Sequence, residues 1–180
     1  MSEELEVIKE VTQRLEEAKI PYVISGSIAA NYYTMPRMTR DIDIVVEMKA
    51  SDVEKFSRLF RDHFFIDQDM VADEVRTRGM FNLIHAKYVI KIDFILRKDS
   101  PWQEDAFKRR KKITIGNVLA WLISPEDLIL AKLLWAKDSL SELQLKDVAN
   151  LLKSVDSLDR VYLDKWIKVL ELEGVYQKAQ

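Results

Sequence analysis

Asp41-Ile42-Asp43-Ile44-Val45-Val46 is the stretch on which the fold turns. In a strand, successive side chains alternate between faces. Asp41 and Asp43 therefore share one face, while Ile42, Ile44 and Val46 enter a core on the other. Two neighbouring carboxylates repel, and each loses hydration on burial. Such a pair is tolerable where a cation bridges it, or where solvent and arginines screen it. A magnesium site is the sharper of the two readings.

Working back along the chain, Tyr22-Val23-Ile24 reads as a short buried strand that runs into Ser25-Gly26-Ser27, after which Ile28 to Tyr33 has helical character. Gly26, without a side chain, allows close approach of a ligand to the backbone. Ser27 can offer a hydroxyl and a helix-terminal amide to a phosphate. The plainer reading is a strand-to-helix turn with Ser27 as the N-cap. Working forward, Gly79–His85 and Tyr88–Leu96 read as strands joined by a tight turn. The second strand carries Val89, Lys91, Asp93 and Ile95 on one face and Ile90, Ile92 and Phe94 on the other. Asp93 is the local inconsistency expected of a functional position. A phosphate-cradling turn, an Asp-x-Asp strand and a third acid are the parts of two-metal phosphoryl chemistry.

Around this nucleus, Glu4–Ala18 places Leu5, Ile8, Val11 and Leu15 on one helical face, and Ser51–His63 does the same with Val53, Phe56, Leu59 and Phe60. Ile113–Ile123 suggests short strands around a Gly116-Asn117 turn. From Ser124 onward the pattern is helical, with starts at Ser124-Pro125-Glu126-Asp127 and Ser141-Glu142-Leu143-Gln144 and a further helix over about Asp159–Glu173. The expected architecture is α/β: a small mixed sheet bearing the three acids, helices behind it, and a helical lobe closing a cleft. The catalytic core would span 1–123 and the lobe 124–180.

Composition limits the partners. The chain has 180 residues, 48% hydrophobic and 32% charged, with a net charge of −2 and no cysteine. Thiolate chemistry and disulfides are excluded, and a polyanion would need a local patch. The acidic start lacks the pattern of a signal peptide, and no stretch is long and apolar enough for a membrane span. These features fit a cytoplasmic protein.

The segments Val23–Ser27, Arg37–Val46 and Lys91–Ile95 together resemble the nucleotidyltransferase superfamily related to DNA polymerase beta. The resemblance implies a DNA polymerase beta-like fold that moves a nucleoside monophosphate from an NTP to a hydroxyl. Gly26 and Ser27 would hold the phosphates. Asp41, Asp43 and Asp93 would be catalytic and would bind Mg²⁺, two ions in all, with Asp93 also near the acceptor hydroxyl as base. Lys132 followed by Asp147 is similar to the arrangement in the AbiEii-like toxin branch. That likeness implies a nucleotide-binding role for Lys132, an RNA or tRNA acceptor, and a protein partner or antitoxin. A catalytically silent nucleotide-binding module of the same fold, or a small-molecule acceptor, are the rival expectations.

The remaining candidates carry two readings each. Lys132 lies in the apolar run Leu128–Ala136 and either meets phosphate or snorkels or pairs with an acid such as Asp147; Lys137 is its alternative. Arg37 and Arg40 could clamp a triphosphate or screen the aspartates, and Arg40 adjoins Asp41. Lys108–Lys112 is either a nucleic-acid patch or a solvated helix end. His63 and His85 share no metal-ligand spacing, and the four tryptophans read as packing residues.

Overall fold

The computed structural model describes residues 2–39, 41–139 and 141–180. In chain order its elements are α1 (Glu3–Ala18), β1 (Tyr22–Ile24), α2 (Gly26–Tyr33), β2 (Asp41–Val46), a 3-10 turn (Ala50–Asp52), α3 (Val53–Phe60), β3 (Phe64–Phe65), α4 (Gln68–Thr77), β4 (Met80–His85), β5 (Lys91–Leu96), α5 (Pro101–Arg109), β6 (Lys111–Ile115), β7 (Val118–Leu122), α6 (Pro125–Ser139), α7 (Glu142–Ser154), α8 (Arg160–Val169) and α9 (Glu173–Gln177). The strands form one mixed sheet in the order β3-β4-β5-β2-β1-β7-β6. β2 and β5 run parallel, as do β1 and β7, while the other neighbours are antiparallel.

Alternation sorts the two faces of the sheet. Ile42, Ile44, Leu83, Ile92 and Phe94 are fully buried on the back. There Phe56 and Phe60 of α3 pack against the Phe81 and Phe94 rings, with centroids 5.2 to 5.9 Å apart. Aromatic edges meeting faces at such spacings strengthen the apolar burial that holds this layer. Glu10 of α1 meets both histidines, His63 Nδ1 at 2.6 Å and His85 Nε2 at 3.3 Å, and so ties that helix to the sheet edge. His63 is half-exposed and His85 buried.

Several boundaries differ from the sequence reading, each for a local reason. The segment from Ser51 opens as a 3-10 turn, where Asp52 accepts the Lys49 amide at 2.8 Å, and its helix ends at Phe60. The helix expected over Asp159–Glu173 is two, broken where Glu171 takes a left-handed φ of 54°. Ser124 makes its expected reciprocal cap with Asp127 (3.1 Å and 2.6 Å), whereas Ser141 stands at the N-cap of α7 without a side-chain bond. α4 and α5 begin at Asp67 and Ser100, whose side chains accept first-turn amides. No helix among the described residues is long and apolar enough to cross a membrane.

Candidate active site

The parallel pairing of β2 with β5 sets Asp43 opposite Asp93 and Asp41 opposite Lys91. All four side chains leave the front of the sheet. β1 ends one strand away, and the Ser25 amide donates to the Asp43 carbonyl at 2.9 Å, which starts α2 directly beside the acids. Ser25 is the N-cap residue, so Gly26 and Ser27 lie in the first turn; this corrects the reading of Ser27 as the cap. Gly26 has a φ of 58°, and a Cβ there would sit 1.8 Å from Asp43 Oδ2. Only glycine satisfies both constraints, the left-handed backbone and the carboxylate packed against it.

These residues floor a cleft of about 490 Å³ whose far wall is α6 and α7. Burial and then the facing Asp93 carboxylate push the Asp43 carboxyl above its ordinary value, against the pull of Lys132 and the Ser27 amide. Deprotonated Asp43 is thus under-neutralised, the condition that a bound cation relieves. Lys91 already supplies one positive charge, its Nζ lying 2.9 Å from Asp93 Oδ2 and 3.8 Å from Asp41 Oδ1. Its amine is held above the ordinary lysine value by the hydrogen bond to Asp93 and by the charges around it. Lys91 was legible as a site residue: two positions before Asp93 in a strand, it had to share that face.

Opposite the acids runs a second charged chain. Lys132, buried in α6, donates to Asp147 Oδ2 at 2.8 Å and to Gln144 Oε1 at 3.0 Å. Arg37 forks onto Asp147 at 3.2 and 2.9 Å and donates to Ser27 Oγ at 2.9 Å. Burial would raise the Asp147 carboxyl, but the bonds from Arg37 and Lys132 outweigh it and hold the group below its usual range. Asp147 therefore stays ionised and anchors both cations in the cleft. Lys132 takes the Asp147-paired position and still faces the acids, while Lys137 turns away to the Leu170 carbonyl at 3.3 Å. Arg40 lies outside the described residues.

The carboxylate oxygens of Asp41, Asp43 and Asp93 are the hard donors that Mg²⁺ favours, and the missing Gly26 Cβ leaves room for the innermost of them. Among the described residues no three acidic or histidine side chains converge tightly enough to chelate an ion as they stand. At this position Lys91 lies between Asp41 and Asp93. One tryptophan departs from its packing role: Trp102 and Trp166 are buried, but Trp135 is 57% exposed and lines the cleft from α6.

The family described as "Nucleotidyl transferase of unknown function (DUF2204)" matches residues 4–174. Among solved structures the chain is similar to an antigenic nucleotidyltransferase-like protein from Paracoccidioides brasiliensis (17% identity, 98% of this chain and 94% of that one, TM-score 0.57). It is also similar to the lincosamide antibiotic adenylyltransferase LnuA with lincomycin bound (16%, 86% and 98%, 0.56). A third likeness is to ANT(2″)-Ia in complex with adenylyl-2″-tobramycin (12%, 94% and 99%, 0.62). At such identities the likeness is one of fold. No curated protein matches the chain.

Proposed function

Because the chain belongs to the family of nucleotidyl transferases of unknown function, we propose that it transfers a nucleoside monophosphate from an NTP to an acceptor hydroxyl and releases pyrophosphate. The observation that carries this reading is Asp43 facing Asp93 in register, directly under the glycine-opened first turn of α2. The partial positive end of a helix favours phosphate there. Ser27, Arg37 and Lys132 supply the hydroxyl and cations that would take the β- and γ-phosphates.

In the reaction, the acceptor oxygen forms a bond to the α-phosphorus, and the bond from that phosphorus to the bridging oxygen breaks. Pyrophosphate leaves with the electron pair. The hydroxyl proton passes to a carboxylate, for which Asp93 is the candidate, and then to water. Asp41, Asp43 and Asp93 would hold Mg²⁺, which when bound neutralises phosphate charge and acidifies the hydroxyl. The chain's own contribution is positioning: a rigid parallel strand pair sets the acids, and Asp147 locks Arg37 and Lys132 facing them.

The test is incubation with each NTP labelled at the α-phosphate, Mg²⁺, and RNA, protein and small-molecule fractions of a cell extract. Wild type should transfer label, and an Asp41→Asn/Asp43→Asn double variant should not. The position of Lys91 within the acid cluster favours one rival, a silent nucleotide-binding module whose acids are neutralised by lysine. NTP binding with no transfer from any fraction would be its signature.

A further inference from the structure

The acid cleft continues into a second cavity of about 360 Å³, and Ser25, Ile95, Ala131 and Trp135 line both. Its floor is the next row of the sheet, Val23, Val45 and Ile95, which lies roughly 7 Å along the strands from Asp43 and Asp93. Its walls are Trp102 and Phe107 of α5 and Leu134 and Trp135 of α6. The charged residues of its lining are Arg97, itself buried, Lys98 and Asp138. Arg97 is already engaged by Glu47 at 3.1 Å and Asp99 at 3.5 Å.

The direction of this cavity is informative. Arg37 and Thr39 precede the start of β2 at Asp41, while Val45 lies toward its other end, so the phosphate-binding groups and the apolar cavity flank the acids along one strand. Attack on the α-phosphorus is in line, with the entering oxygen opposite the departing pyrophosphate. Pyrophosphate held at Ser27 and Arg37 leaves the cavity side for the nucleophile.

Three residues of the basic run that could have served a nucleic acid are engaged elsewhere. Arg109 pairs with Glu126 at 3.1 Å and Asp127 at 3.3 Å, Arg110 lies over the Phe107 and Trp121 rings, and Lys112 reaches Glu16 at 3.5 Å. The run also opens β6, at the far edge of the sheet and three strands from β2, roughly 14 Å away. Its position at the far edge of the sheet does not suit a polyanion reaching the acids.

We propose, on the basis of the nucleotidyl-transfer reading above, that the acceptor is a small molecule whose apolar, ring-bearing body fills the cavity between α5 and α6 and presents a hydroxyl to Asp93. Rings stacked against Trp102, Phe107 and Trp135 would supply the affinity, and the acids the chemistry.

The experiment divides the small-molecule fraction of a cell extract on a reverse-phase column and offers the retained and unretained pools, with RNA and protein, to the full-length chain with α-labelled NTP and Mg²⁺. Two variants plug the cavity from opposite walls, Ala106→Trp and Leu134→Trp, so that one remains informative where the other misfolds. Label should move to a low-mass product from the retained pool. Either plug should reduce that transfer by about tenfold or more while binding of a fluorescent NTP analogue persists. Label on RNA, on protein or on an unretained molecule would overturn the proposal, as would full transfer by both folded plugs. Bound NTP with no transfer by wild type from any pool would instead remove nucleotidyl transfer itself, and this acceptor with it.

Discussion

Asp43 and Asp127 are two acids pushed above the ordinary carboxyl value, in both cases first by burial, yet their surroundings are opposite. Asp127 is completely enclosed and fully served: Trp102 Nε1 donates at 3.1 Å, Tyr162 OH at 2.7 Å, Ser124 Oγ at 2.6 Å and Arg109 Nε at 3.3 Å. These donors come from α5, α8 and the start of α6, so one carboxylate pins three helices together. Asp43 instead faces another carboxylate across a parallel strand pair, and its side chain opens on a cleft. A buried acid surrounded by donors is a structural keystone; a buried acid facing an acid keeps a charge that a cation would neutralise. Displaced pKa values alone would not have separated the two.

Loss of the carboxylate should therefore give opposite results at the two positions, and this is the largest effect expected. Asp43→Asn removes a like-charge repulsion and should melt at or above the wild-type temperature, while transfer falls by at least about a hundredfold. Asp127→Ala strands the Trp102, Ser124 and Tyr162 donors and should cost about 3 kcal/mol. That corresponds to a melting temperature lower by roughly 10 °C, with NTP binding retained at temperatures where the variant is folded. Calorimetry beside an NTP-binding assay reads both. Equal loss of stability at both positions would erase the distinction.

A smaller effect sharpens the keystone side. A carboxyl whose folded pKa is raised binds its proton more tightly in the folded chain than in the unfolded one. Its contribution to stability is full below the unfolded value and is lost as pH rises through the folded value. For Asp127 that window opens at 3.8 and extends upward. The stability gap between wild type and Asp127→Asn should narrow as pH rises through it, as followed by denaturant titration at a series of pH values. A gap that widens instead would mean that the charged form is the preferred one.

The smallest effect concerns Lys91. Its side chain is 41% exposed, so Lys91→Ala should change stability by less than about 1 kcal/mol. Freed of their resident ammonium, Asp41 and Asp93 should bind a divalent ion more tightly, so Mn²⁺ titration followed by electron paramagnetic resonance should show higher affinity in the variant than in wild type. Unchanged affinity would mean that Lys91 does not compete for the acid cluster.

Much of the candidate site's acidic face was legible because strand alternation is a local rule. Asp41, Asp43 and Asp93 needed only the two-residue period to be put on one side, and Gly26 needed only its place between a strand and a helix. The Ser124 cap was also local. Less legible were the partners made across the fold. The fork of Arg37 onto Asp147 spans 110 positions, and Trp135, one of several large apolar residues in an apolar helix, became a cleft wall only through the way α6 lies over the sheet. The sequence of the basic run at 108–112 likewise does not reveal that Arg109 turns to Glu126 and Asp127.

What the sequence by itself determined is therefore the inventory of the face: three acids, a glycine-opened turn, and the family to which they point, all set by short-range periodicity and backbone freedom. The tertiary structure alone decided which charges face one another. Parallel pairing of β2 with β5 put Asp43 opposite Asp93 and Lys91 opposite Asp41, and packing of α6 and α7 over α2 brought Asp147 to Arg37 and Lys132. Register and helix packing are satisfied by the burial of the whole core, which no local stretch of sequence contains.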